Sequence, residues 1–183
     1  LIEQLLLAER TAEALLARPE MRYVAAATAR QWAEAKANVL ANPAYRPELA
    51  ARFVAVRRAL IRAVHEAGAG LLLGSDAPQI FNVPGFSIHE ELRLLVAAGL
   101  TPYEALRTGT VNVAAFVGAP DDFGQVATGH RADLILLEAD PLADVANVAR
   151  RVGVMVGGHW LPAATLDERL DELASRLAAA DGR

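Results

Sequence analysis

The chain has 183 residues, 54% hydrophobic and 22% charged, which supplies a sizeable core and is too apolar for a disordered chain. Its formal net charge is −4 and its basic residues are unclustered, which argues against a nucleic-acid groove or a polybasic membrane surface. With no cysteine there are no disulfides, thiolate zinc sites or Cys nucleophiles, and the uncharged stretches fall short of the ~20 residues a membrane helix requires.

In chain order, Leu1–Leu16 reads as a helix closed by Arg18-Pro19. Met21–Ala25 reads as a short strand, because Tyr23 and Val24 favour extended backbone. Thr28 with Gln31 three residues on has the form of a capping box, opening a helix to about Leu40. Asn42-Pro43 breaks that pattern. From Pro47 a long helix follows, with Phe53, Val56, Leu60, Ile61 and Val64 expected to face inward and Gly68 to stop it. Leu71-Leu72-Leu73, bounded by glycines and without alternation, predicts a strand buried on both faces, as in a parallel sheet.

Ser87-Ile88-His89-Glu90 has the form of a capping box for a helix that turns Leu92, Leu95 and Val96 inward and stops at Gly99. Thr101-Pro102-Tyr103-Glu104 opens another, with proline in the first turn. Helix, buried strand, helix is an α/β signature. Beyond Phe123 the pattern changes. Ala132–Glu138 and Arg151–Val156 read as strands, and Gly157-Gly158 as a two-residue hairpin turn into His159-Trp160-Leu161. Thr165–Ala180 is an amphipathic helix capped by Thr165 and Glu168, with Leu166, Leu170, Leu173 and Leu177 as its stripe.

The sharpest chemical feature is Gly74-Ser75-Asp76-Ala77-Pro78, at the C-terminal end of the expected strand. Ligands of parallel α/β folds bind beyond the carboxyl ends of strands. A carboxylate there is placed to hold a divalent metal or to take a proton from a water bound to one. As a structural residue it would form a turn or cap the next helix.

The histidines are scattered, without the closely spaced pair that a zinc site usually includes. His65, near a helix C-terminus, suits a dipole-stabilising role. His130 and His159 read as surface residues. His89 opens the helix after the Asp76 loop and reads either as pocket lining or as a solvated first-turn residue. Lys36, the sole lysine, is expected to be exposed on its helix. Ser75 lies in no Gly-x-Ser-x-Gly elbow. Trp32 and Trp160 read as core or interface residues.

The order of motifs resembles the C-terminal half of the metal-dependent amidohydrolase superfamily, close to its imidazolonepropionase- and prolidase-like branch. The resemblance is carried by Leu72–Pro78, Phe86–Leu92, Gly99–Arg107, Thr110-Val111-Asn112, Gly124-Gln125-Val126, Arg131–Leu137, Asp140-Pro141-Leu142 and Val156–Trp160. It runs from about Leu71 to Leu161. It implies the C-terminal portion of a (β/α)8 TIM barrel over residues 1–120, strands of a composite antiparallel β-sandwich over 121–163, and a C-terminal helix over 164–183. Tyr23-Val24 would belong to the seventh barrel strand and Leu71–Leu73 to the eighth.

The resemblance further implies a divalent metal, zinc foremost, as one ion or two. A metal-bound hydroxide would attack a C–N bond in a small amide, cyclic amide or dipeptide-like substrate. Asp76 would be a metal ligand and would shuttle the proton to the leaving nitrogen. His89 and Gln79 are the expected substrate-binding residues. The superfamily's other ligands are a His-x-His on the first strand, a Lys or Glu on the fourth, and histidines on the fifth and sixth. None has a match here, so the chain is expected to be a fragment that works only with the N-terminal half of the same protein and is inactive alone. A homo-oligomer is compatible with the resemblance; nucleic acid and membrane are not expected partners. Two other readings compete. One is a non-catalytic scaffold of the same fold used for binding or assembly; the other is an unrelated α/β binding domain.

Overall fold

A computed structural model describes residues 2–182. The chain forms two compact units. One holds residues up to Arg57, Ser75–Ser87 and the chain from Arg169 onward; the other holds Arg58–Gly74 and Ile88–Glu168.

In the first unit, two short helices replace the single one expected over 1–16: α1 (Glu3–Leu6) and α2 (Ala12–Leu16). Leu7 turns extended at ψ 121°, and the Thr11 hydroxyl restarts the helix by accepting the Ala14 N–H at 3.2 Å. The carbonyls freed at the end of α1 go to Lys36. Its ammonium donates to Gln4 O at 2.6 Å, Leu7 O at 3.0 Å and Leu5 O at 3.4 Å. Lys36 is therefore fully buried, correcting the expectation of an exposed lysine. Burial is the main cause that pulls its pKa below the ordinary value, and Arg10 adds to it while Glu9 opposes.

The strand expected over Met21–Ala25 is instead a 3₁₀ turn, Pro19–Tyr23. Pro19 sits in its first turn, where a fixed φ favours helical winding, and the Tyr23 ring stacks on Phe86 at 5.0 Å. Local β-propensity yields to that packing. Helix α3 (Ala26–Ala41) starts two residues before Thr28, which lies inside it and caps nothing. Ala26 and Ala27 are strong helix formers, and the Ala26 N–H is taken at 2.9 Å by the carboxylate of Asp181, 155 residues away. Leu15, Met21, Phe81 and Val83 form this unit's core, with Trp32 edge-on to Phe81 at 5.8 Å.

Helix α4 (Pro47–Glu66) has the expected length, and Gly68 follows it at φ +74°. Its buried side chains are Ala50 and Val54, whereas Leu49, Phe53, Val56 and Leu60 are exposed. Of the apolar stripe expected to face inward, Ile61 and Val64 are half-buried, with Ile61 packed on a core, whereas Phe53, Val56 and Leu60 are turned out.

In the second unit, α5 (Ser87–Ala97), α6 (Pro102–Thr108) and α7 (Val111–Phe116) follow one another. Leu92, Leu95, Leu100, Ala105 and Val145 make the core. The capping box at α6 is complete, with Thr101 and Glu104 bonding each other's backbone N–H groups and Pro102 in the first turn. Ser87 lies within α5, and its hydroxyl pairs with Ser75 rather than capping.

The buried strand expected at Leu71–Leu73 is an extended segment without a strand partner among the described residues. Its polar groups are met otherwise: Leu73 N–H donates to Thr108 O at 3.0 Å, and Asn112 Nδ2 donates to Leu71 O at 3.0 Å. Leu71 and Leu73 pack on the core, whereas Leu72 is 45% exposed and so is not buried on both faces.

The C-terminal strands form as expected: β1 (Leu134–Leu137), β2 (Arg151–Val156) and β3 (His159–Pro162), antiparallel in the order β1-β2-β3. Gly157 at φ +55° and Gly158 at φ +83° supply the two left-handed residues of a tight hairpin turn. Asp133 braces it by accepting the Gly157 N–H at 2.7 Å; that bond and Arg131 hold its carboxyl below the usual range. At Gly153 a side chain would collide with Trp160 and lie 2.8 Å from Leu161 O. Helix α8 (Ala163–Asp181) begins before Thr165, which therefore does not cap it, and its leucines are half-buried. Among the described residues no helix is long and apolar enough to cross a membrane.

Candidate active site

Asp76 opens the loop Ser75–Phe86 in the first unit, immediately after the extended segment. Its φ of +53° lies in the left-handed region, unusual for a residue with a Cβ and most tolerated by Asp and Asn. The carboxylate is exposed. Gln79 Nε2 donates to its Oδ2, which brings together two of the three residues singled out as site candidates. The Ala77–Pro78 peptide is cis.

Beneath this exposed pair the loop is tied down. Asn82 Nδ2 donates to Ser75 O at 3.1 Å, and the Ser75 and Ser87 hydroxyls are 2.9 Å apart. Asn82 N–H donates to Gln79 O at 2.8 Å. Phe81, at φ +57°, is fully buried in the core, and Arg18 Nη2 donates to its carbonyl at 2.6 Å. The carboxylate thus stands on an anchored loop.

His89, the third candidate, belongs to the other unit and is half-buried on α5. Its Nδ1 is buried without a hydrogen-bond partner. Burial first, then the charges of Arg93 and Arg151, push its pKa down, which favours the neutral imidazole near pH 7.

The remaining histidines separate into distinct roles. His65 Nε2 lies 3.1 Å from Glu104 Oε1, so it is paired with a carboxylate instead of merely facing a helix dipole. Glu104 is held at a pKa of about 2, chiefly by the Thr101 backbone and side chain, with His65 contributing. Both line an open cavity of about 520 Å³ with Leu72, Arg107, Asn112 and Phe116; Asp76, Gln79 and His89 do not line it. His159 is exposed as expected, whereas His130 is half-buried with its Nδ1 shielded.

Among the described residues no three His, Cys, Asp or Glu side chains converge in a way that would hold a metal ion. Sequence reasoning missed Asn82 altogether and assigned Ser87 to a cap. Asn82 sits in an irregular loop, where neither periodicity nor spacing marks a buried amide.

Helices, an extended segment that ends in a carboxylate, and a small antiparallel sheet with a C-terminal helix define an α/β chain. Residues 11–161 match the amidohydrolase family, and the chain belongs to it. An imidazolonepropionase of Rubrobacter xylanophilus is 39% identical over 83 residues, 43% of this chain and 19% of that protein. A bottromycin amidohydrolase structure superposes over 91% of this chain and 37% of its own with a TM-score of 0.71 and 25% identity. A Xaa-Pro dipeptidase crystallised with methionine in its active site shares the fold at a TM-score of 0.53 and 19% identity, over 84% of this chain and 34% of its own. The chain spans 23% or less of the length of the curated relatives it matches.

Proposed function

We propose that this chain is the C-terminal portion of a metal-dependent amidohydrolase that hydrolyses a C–N bond in a small amide, cyclic amide or dipeptide-like substrate. The carrying observation is an exposed carboxylate, Asp76, on a tied-down loop following an extended apolar segment, in a chain of the amidohydrolase family. In this reading residues 1–120 are the last βα units of a (β/α)8 barrel, 121–163 are strands of a composite β-sandwich, and 164–183 are the closing helix.

The donors present do not make a metal site by themselves, since zinc requires about three protein ligands and no such group converges here. Asp76 is proposed as one ligand, with the others supplied by the N-terminal half of the same protein. The chain alone is accordingly inactive. Zinc, as one ion or two, is the metal proposed, and it would supply Lewis acidity.

Asp76 accepts the proton of the attacking water and returns it to the departing nitrogen. Gln79, bonded to Asp76 Oδ2, keeps that carboxylate from swinging and is a proposed substrate-binding residue. His89, on α5 of the other unit, is the second proposed substrate-binding residue. In the full-length protein, Asp76→Asn lowers kcat by about 10²–10⁴-fold on Xaa-Pro dipeptides or N-acyl amino acids while the protein stays folded. Near-wild-type turnover in that variant contradicts the assignment.

A second reading, a non-catalytic scaffold for binding or assembly, is favoured by the lack of converging metal ligands among the described residues. Stoichiometric divalent metal together with hydrolysis in the full-length protein removes it.

A further inference from the structure

We infer that Asn82 is the positioning residue for the Asp76 carboxylate, acting through the Ser75–Asp76 peptide, with Ser87 as its lesser helper. The inference rests on the reading of Asp76 as the proton-transferring group.

The Ser75 carbonyl belongs to the peptide unit about which the Asp76 φ rotates. Asn82 Nδ2 grips that oxygen at 3.1 Å, so it fixes the plane from which Asp76 turns into its left-handed conformation at φ +53°. The same residue is stabilised a second time, since the Ser87 hydroxyl meets the Ser75 hydroxyl at 2.9 Å. Asn82 also holds the other end of the turn. Its N–H donates to Gln79 O at 2.8 Å, and the Gln79 side chain donates to Asp76 Oδ2. The Asn82 side chain thus holds the backbone that aims the carboxylate, while its main-chain N–H, independent of the side chain, ties the same turn at Gln79.

The contrast in burial points the same way. Asn82 and Ser87 are each only 5% exposed, beneath an exposed Asp76. Asn82 keeps its Oδ1 buried without a hydrogen-bond partner. A buried acceptor without a partner carries a cost that the donor end of the same amide has to offset. Its donor end, in contrast, is used on the one carbonyl that precedes the reactive residue. Left-handed backbone is tolerated at an Asp but still has to be held in one orientation, and the group that holds the preceding carbonyl here is the Asn82 side chain.

The test uses the full-length, metal-loaded protein with Xaa-Pro dipeptides and N-acyl amino acids as substrates. Asn82→Ala deletes the grip, and Asn82→Asp keeps the shape while replacing the donor with an acceptor. Both are expected to lower kcat about ten- to a hundredfold, with KM within about twofold and unchanged metal content, because a small misplacement of a catalytic group costs rate rather than binding. Ser87→Ala is expected to lower kcat less. The variants are compared at equal folded fraction, judged by circular dichroism and thermal midpoint, and the isosteric Asn82→Asp decides if the alanine variant does not fold. Wild-type kcat in a folded Asn82 variant, or a loss residing in KM, overturns the inference. Asp76→Asn in the same assay separates the two levels. If it is inactive while the Asn82 variants are unimpaired, only the positioning role falls; if it is active, the underlying reading falls with it.

Discussion

The sheet of β1, β2 and β3 and the extended segment Leu71–Leu73 are both rich in apolar residues, yet only the sheet forms a hydrogen-bonded ladder. The sheet closes its own bonds within 29 residues: β2 pairs on one side with β1 and on the other with β3 across a two-residue turn. The segment borrows its partners, a carbonyl at the end of α6 and the amide of Asn112 on α7. Helices α1 and α3 borrow likewise, α1 from the Lys36 ammonium and α3 from the Asp181 carboxylate. An antiparallel hairpin needs only a short loop, whereas parallel strands need long crossovers and distant neighbours. Local closure makes the sheet self-sufficient. The candidate catalytic carboxylate sits on the other kind of element, one whose geometry depends on side chains far along the chain.

That contrast can be broken on the sheet side first. Gly153→Val drives a side chain into Trp160 and against Leu161 O, and is expected to cost about 1–3 kcal/mol in denaturant unfolding. An effect below a few tenths would show that the sheet is looser than its register implies. On the borrowing side, Lys36→Met strips the carbonyls of Gln4, Leu5 and Leu7 of their donor and leaves that of Gln4 buried, a loss of about 1–3 kcal/mol by the same measurement. Asn112→Ala frees the Leu71 carbonyl and costs less, about 0.5–1.5 kcal/mol, with faster amide hydrogen exchange at Leu73 as its local signature. Unchanged exchange there would mean that Asn112 does not hold the segment.

The smallest effect is one of pH. The folded pKa of His89 lies below its ordinary 6.5, so the unfolded chain takes up this proton first as pH falls. Stability from this site is present above about 6.5 and is lost as pH falls from there toward the folded value. His89→Phe should flatten that part of the stability profile, and an unaltered slope would contradict the burial-driven shift.

What the sequence made legible follows the same division. The capping box at Thr101, the stop at Gly99, the glycine turn at 157–158 and the three C-terminal strands are written in contiguous residues, and all formed. Tyr23-Val24 and Leu71–Leu73 carry strand propensity, but propensity does not supply a neighbouring ladder: Tyr23 ends a 3₁₀ turn with Val24 extended after it, and Leu71–Leu73 is extended without a strand partner among the described residues. Lys36 reads as an ordinary helical lysine because its three acceptors lie about 30 residues upstream, at a helix end that the pattern did not reveal. On the site, the Gly-Ser-Asp-Ala-Pro run put Asp76 at the end of a buried strand, and it stands instead on a loop after an extended, half-exposed segment. Gln79 joined it by a local bond three residues away. Asn82 and Ser87 are defined by contacts across a folded loop, and their residue types alone carry no such signal.

The central claim, that Asp76 completes an ion site whose other ligands lie elsewhere in the protein, is tested most directly by elemental analysis of the full-length protein beside its Asp76→Ala variant. The account predicts stoichiometric divalent metal in the first and a substoichiometric, readily chelated content in the second. Equal metal content in the two, or a metal-free protein that still hydrolyses amides, would contradict it.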